Sequence, residues 1–138
     1  MTQPSASDEQ PPIAAAIIVD HGRVLLVRRR VAEGSLSWQF PAGKVEDAED
    51  PADAAAREAR EETGLVVAAR QVLGERVHPA TGRTMIYVAC NVVSGEATVA
   101  DKEELTDLAW SDRTQLSGYI PHPLYDPVQN YLDAMLGP

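Results

Sequence analysis

Residues 43–65 read GKVEDAEDPADAAAREAREETGL, and this stretch decides the fold. Its centre, Asp50 to Glu62, predicts a helix. Asp50 can cap the first turn with its side-chain oxygen, Pro51 suits the first helical position, and Asp53 meets the positive end of the helix dipole. Ala52, Ala54, Ala55, Ala56 and Ala59 have the highest helix propensity, and Gly64 is a natural left-handed terminator. On a helical wheel Ala52, Ala55, Ala56, Ala59 and Thr63 share one side, small enough to pack close against a sheet. Glu58, Glu61 and Glu62 occupy a different arc, where spacings of three and four residues make their carboxylates neighbours. Three like charges so placed repel one another. A hard divalent cation removes that repulsion, and carboxylate oxygens are the ligands Mg²⁺ prefers. Arg57 is placed to offset part of the charge and to orient Glu58.

Outward from the helix, the flanks read as strands. Ile13 to Val19 is a continuous apolar run, Asp20 to Arg23 a turn, and Val24 to Val27 a second strand, so the two predict a hairpin. Arg28, Arg29 and Arg30 follow at its end, residues 31–37 read as a loop, and Trp38 to Phe40 as a short extended piece. After the helix, Leu65 to Val77 predicts one or two strands and Met85 to Val93 another. Short strands are expected at Ala97 to Val99 and Leu108 to Trp110, a short helix near Gln115, and a last helix over Pro127 to Leu136. Strands surround helices without strict alternation, so an α+β fold or a layered α/β/α sandwich is favoured. Residues 1–12 are polar and proline-rich and are expected to be a disordered lead-in, with one domain over 13–138.

The string G43-x5-E49-x7-R57-E58-A59-x-E61-E62-x-G64-L65 resembles the Nudix box, G-x5-E-x7-R-E-U-x-E-E-x-G-U, at every fixed position. Trp38-Gln39-Phe40-Pro41-Ala42-Gly43 resembles the family's F-P-G-G lead-in, with Ala42 in place of the first glycine of the pair. Ala59 is small for its aliphatic position. The resemblance covers residues 13–116 and implies the Nudix fold, an α/β/α sandwich with a mixed sheet and the box as a loop–helix–loop. It also implies attack of water on a phosphorus of a diphosphate linkage, assisted by Mg²⁺ or alternatively Mn²⁺. Glu58 and Glu62 would be metal ligands, Glu61 a ligand or helper, and Glu49 a ligand or support for the loop. The Ala42 carbonyl would be a further ligand, tolerating its Cβ if φ is negative. Arg57 would orient, and Glu58 or a later glutamate would be the general base. Many members carry an acid shortly before a Trp-containing strand. Glu104, six residues before Trp110, fits that placement better than Glu103.

For substrate contacts, Arg28 and Arg29 should point to opposite faces, so one of them can meet phosphate. Trp38 and Phe40, with Tyr87, are candidates for base stacking. His21, His78 and His122 show no zinc spacing and are given no role. The net charge of −9 argues against duplex nucleic acid as partner but not against a small nucleotide held through a cation. No apolar run reaches the length of a membrane span, no signal-peptide core is visible, and Cys90 is the only cysteine, so the cytoplasm is expected. Either a monomer or a homodimer suits the pattern. The substrate expected first is a nucleoside triphosphate, cut as by a MutT-type pyrophosphohydrolase. ADP-ribose or a nucleotide sugar is the alternative, and a non-catalytic ligand-sensing module the rival from another class.

Overall fold

The computed structural model describes residues 10–33 and 36–137. Seven strands, β1 (Ile13–Asp20), β2 (Arg23–Glu33), β3 (Leu36–Gln39), β4 (Ala42–Lys44), β5 (Val66–Val77), β6 (Thr84–Ser94) and β7 (Leu105–Ser111), form one mixed sheet. The helices are α1 (Pro51–Thr63), α2 (Leu116–Tyr119) and α3 (Asp126–Met135). The main path is β3-β2-β1-β6-β5, with β4 on β1 and β7 on β2. β1 and β6 run parallel, whereas every other pairing is antiparallel. β1 and β2 pair only at the hairpin end, Val19 with Val24 and Asp20 with Arg23. Beyond it they diverge: β1 takes β4 and β6 as neighbours, and β2 takes β3 and β7.

The alternation of β1 explains the layers. Ala14, Ala16 and Ile18 pack with Ala54, Ala55 and Ala59 of α1, while Ala15 and Ile17 pack with Val128 and Leu132 of α3. An unbroken apolar strand is what a sheet covered on both faces requires. Ala54, Ala55 and Ala59 lie fully buried and let the helix approach closely. This is the expected α/β/α sandwich.

Both ends of α1 follow from local chemistry. The Asp50 side chain accepts from the Ala52 N–H at 2.9 Å, a cap of about 1 kcal/mol. At the other end Gly64 takes φ 77°, and its N–H donates to the Arg60 carbonyl at 2.9 Å.

Several expectations are corrected. β2 runs to Glu33 instead of ending at Val27, because β7 and β3 pair with it on both sides past Arg28. Part of the expected 31–37 loop is therefore strand, while Gly34 and Ser35 lie outside the described residues. Leu65 to Val77 yields one long strand with three register shifts against β6. Ala97 to Val99 forms no strand. Its segment instead crosses the end of α1, where Thr98 and Ala100 donate N–H bonds of 2.9 Å to the carbonyls of Thr63 and Glu62. These bonds satisfy acceptors that a helix terminus leaves open. Residues 1–9 lie outside the described residues, but the lead-in does not extend to Pro12. The Pro12 carbonyl accepts from Val45 N–H at 2.9 Å and the Pro11 carbonyl from Arg83 at 2.8 Å.

Candidate active site

The carboxylates of the box separate into two groups. Arg57 draws three glutamates onto one guanidinium. It binds Glu49 bidentately, Nε to Oε2 at 2.8 Å and Nη2 to Oε1 at 2.9 Å. Nη1 reaches Glu58 Oε2 at 2.9 Å and Glu61 at 3.0 Å. Nη2 also donates to the Lys44 carbonyl at 2.9 Å, tying the helix to the end of β4. Hydrogen bonds from Arg57 and from the Glu46 N–H hold the Glu49 carboxyl down at about 2. The bond to Glu49, and then that to Glu58, push the Arg57 guanidinium above its usual value against the effect of burial. Glu61, half-exposed, lies outside the pocket with Glu49.

The second group is Glu58 with Glu62. Glu62 is 7% exposed, and its Oε1 has no hydrogen-bond partner among the described residues. Burial pushes its pKa up to about 9, with the neighbouring Glu58 and then Asp101 adding to the rise while the Ala42 backbone opposes it. Glu58 is raised too, first by burial, against the pull of Arg57. The two acids thus share a site that resists two negative charges.

β4 brings backbone to this pair. Ala42 faces Ala15, and the flanking bond runs from Ala16 N–H to the Pro41 carbonyl at 2.8 Å. By alternation Ala42 turns its own N–H and C=O away from β1, toward the free edge where Glu62 lies. Ala42 is not among the residues of positive φ, so its Cβ is accommodated. Gly43 serves by its size rather than by its φ. A Cβ there would overlap the Glu58 carboxyl group, so only glycine lets that side chain lie against the strand.

A cavity of about 500 Å³ opens beside these groups. Glu58, Glu62, Asp101 and Glu104 line one part of it, together with Ala42 and Gly43. Trp38, Phe40, Tyr87 and Tyr125 line its apolar wall. Arg29 lines it, but Arg28 does not and instead bonds Ser37 at 3.2 Å. The register shift between Arg28 and Arg29 falls at this point of β2. Glu104 is held where its N–H meets Asp101 Oδ1 at 3.2 Å and its carbonyl accepts from Arg30 N–H at 2.8 Å.

The expected set of five metal donors is therefore not gathered in one place. Among the described residues no cluster of three or more His, Cys, Asp or Glu side chains stands ready as a metal cage. Glu58, Glu62 and the outward face of Ala42 converge, whereas Glu49 and Glu61 go to Arg57. The donor set still fits a hard divalent cation. It is all oxygen, it is crowded with like charge, and it includes a buried carboxylate oxygen with no partner. Reading the sequence missed Asp101, Arg76, Arg83, Tyr125, His78 and His122 as lining residues. Their local signal was slight, the two-residue spacings of Arg76 with His78 and of Arg83 with Met85 and Tyr87, which put each set on one side of an extended chain.

The NUDIX domain family matches residues 9–133, and the chain belongs to that family of hydrolases. Nudix hydrolase 2 of Arabidopsis thaliana is 30% identical over 94% of this chain and 46% of its own length. An RNA pyrophosphohydrolase of Halorhodospira halophila is 46% identical over 47% of this chain and 34% of its own. The chain thus spans less than half the length of these curated relatives. Among solved structures, a MutT Nudix hydrolase from Burkholderia pseudomallei is 28% identical, with a TM-score of 0.62 over 90% of this chain and 97% of that one. A Nudix hydrolase from Nitrosomonas europaea, at 22% identity and a TM-score of 0.72 over 94% of this chain and 93% of that one, shares the fold. No helix among the described residues is long and apolar enough to cross a membrane.

Proposed function

We propose that this chain hydrolyses a phosphoanhydride bond in a nucleoside diphosphate-linked substrate, and that the substrate is a nucleoside triphosphate cut to monophosphate and pyrophosphate. The observation that carries the reading is the buried Glu58–Glu62 pair, with its orphaned Oε1, at the wall of a nucleotide-sized cavity. Glu58, Glu62 and the Ala42 carbonyl would hold the divalent cation, Mg²⁺ or Mn²⁺. The cation supplies offset of charge on the leaving phosphate and a lowered pKa for water at phosphorus. Arg57 positions Glu58 and compensates Glu49 and Glu61, which act as supports. Glu58, or Glu104 on the same part of the cavity wall, takes the proton from water. Trp38 and Phe40 give a flat apolar wall for the base, and Arg29 meets phosphate oxygens. The acidic balance suits a small substrate brought with its cation, inside a cell.

Hydrolysis of a panel with Mg²⁺, products separated by chromatography, tests this. The panel holds ordinary and oxidised nucleoside triphosphates, ADP-ribose, nucleotide sugars and dinucleoside polyphosphates. Monophosphate plus pyrophosphate from a triphosphate is expected. AMP plus ribose phosphate would replace it with the ADP-ribose reading. No Mg²⁺-dependent product from folded protein would leave a ligand-sensing module.

A further inference from the structure

The cavity has two ends of opposite sign. Opposite the carboxylates, Arg76 of β5 lies over two tyrosine rings, 5.9 Å from the Tyr87 centroid and 5.3 Å from that of Tyr125. Its Nε donates to the Tyr87 hydroxyl at 3.3 Å, and the Tyr125 hydroxyl is pinned to the Glu75 carbonyl at 3.0 Å. The guanidinium is thus fixed by its Nε and its faces, while its terminal nitrogens have no partner among the described residues. Arg76 pairs with Met85, so alternation puts Met85, Tyr87 and Arg83 on the same side of the sheet. His78 donates its N–H to the Arg83 carbonyl at 2.8 Å, and its ring stands 6.2 Å from that of His122. All of these residues except Glu75 line the cavity.

Neither Arg76 nor Arg83 has a carboxylate partner among the described residues. Among the described residues the Arg83 side chain makes one hydrogen bond, to the Pro11 carbonyl at 2.8 Å. Two permanent cations without counter-ions, against an aromatic wall, favour an anionic guest. A guanidinium with its terminal fork open matches phosphate oxygens in particular. The separation of the two ends follows from the sheet. Lys44, Ile13, Met85 and Arg76 stand in one row across β4, β1, β6 and β5, three strand spacings, or roughly 14 Å, from end to end. That span is comparable to the length of an extended nucleotide.

We propose that Arg76 and Arg83 form a second anion subsite, which takes a phosphate carried by the substrate on the far side of its nucleoside from the bond that is cut. This rests on the hydrolase reading above and narrows it: the preferred substrate bears a further phosphate, as a monoester or as the first diester of a short oligonucleotide.

The test is calorimetric titration of the whole chain in EDTA, so that no turnover intervenes. The probes are AMP, adenosine 3′,5′-bisphosphate and the dinucleotide pApA. The added phosphate should tighten binding about tenfold over AMP, the size of one charge-assisted contact. Whichever of the bisphosphate and the dinucleotide gains more identifies monoester or diester as the source. Arg76→Gln and Arg83→Gln should each erase the gain and leave AMP affinity unchanged. Arg83, outside the tyrosine stack, serves as the variant that retains the fold if Arg76→Gln does not. Equal affinity for all three probes in the wild type, or a gain that survives in both variants, would overturn the subsite. Triphosphate hydrolysis with Mg²⁺, assayed separately, shows whether it is the subsite or the hydrolase reading that has failed.

Discussion

Glu49 and Glu62 belong to one loop–helix unit, are the same residue type, and titrate at opposite extremes, about 2 and about 9. The difference lies in who supplies the opposing charge. Glu49 has a bidentate arginine, so its negative form is stabilised inside the protein. Glu62 is buried against Glu58 with one oxygen unsatisfied, so its negative form waits for something brought from outside. A protein that needed only a solvated acidic face would have no reason to bury one carboxylate and leave it uncompensated. The contrast separates a carboxylate the protein compensates from one it leaves uncompensated, within one helix and its lead-in.

The strongest way to break that contrast is Glu62→Gln, which keeps shape and burial while removing the charge. Turnover should fall roughly 10³-fold, the loss of several kcal/mol of charge stabilisation in the transition state. Circular dichroism should show an unchanged fold. Activity within a few-fold of wild type would place the chemistry elsewhere. A gentler probe is Gly43→Ala. Its Cβ would meet the Glu58 carboxyl group and push it off the strand. A loss of about a hundredfold in kcat is expected, comparable to that from misplacing a catalytic group by about an ångström. Full activity would show that Glu58 need not lie against β4.

Arg57→Ala attacks the other side of the comparison. It removes the cation from Glu49, Glu58 and Glu61 together and frees the Lys44 carbonyl. Arg57 is only partly buried, so the expected cost is about 2 kcal/mol, below that of breaking a fully buried pair. Activity should fall by about tenfold through the loss of positioning at Glu58, less than for either substitution at the acid pair. If melting is unchanged, the network contributes nothing to stability.

The helix and its caps were legible because every cause is local: an Asp before Pro51, an alanine run, a glycine at the end. So were the strands that bury both faces. The division of labour among the glutamates was not. The wheel puts Glu58, Glu61 and Glu62 side by side, but Arg57 is four residues before Glu61 and is held in place by Glu49 and Lys44, so Glu61 is drawn off. That outcome depends on where the loop returns, which spacing along the helix does not encode. Gly43 was legible as a position of the box, but its need, space for the Glu58 carboxyl group, depends on where α1 packs against β4. The basic wall was hidden for a larger reason. Arg76 stacks on Tyr125, and Arg83 joins them in the cavity lining, only after β5 pairs with β6 and the chain leading into α3 folds over the sheet, and none of this has a short-range signature.

The smallest effect is also the one that reads both halves at once. Glu49, depressed in the folded state, contributes stability that is present above its ordinary value of 4.5 and is lost as pH falls toward about 2. Glu62 has the opposite sign. Its folded pKa lies above the unfolded one, so the folded state binds more protons between 4.5 and about 9. Its contribution is therefore complete below 4.5 and drains away as pH rises through that window. In EDTA the melting temperature of the wild type should fall on both sides. Glu62→Gln should flatten the alkaline limb alone, so that this inactive variant melts higher than wild type at pH 8. Arg57→Ala should flatten the acid limb, because Glu49 returns toward its ordinary value. Added Mg²⁺ should raise the wild type at pH 8 and leave Glu62→Gln nearly unmoved. Thermal melts across pH check all four curves. Parallel alkaline limbs for wild type and Glu62→Gln would mean that Glu62 is not the proton-holding group, and that the two glutamates differ in place but not in electrostatic role.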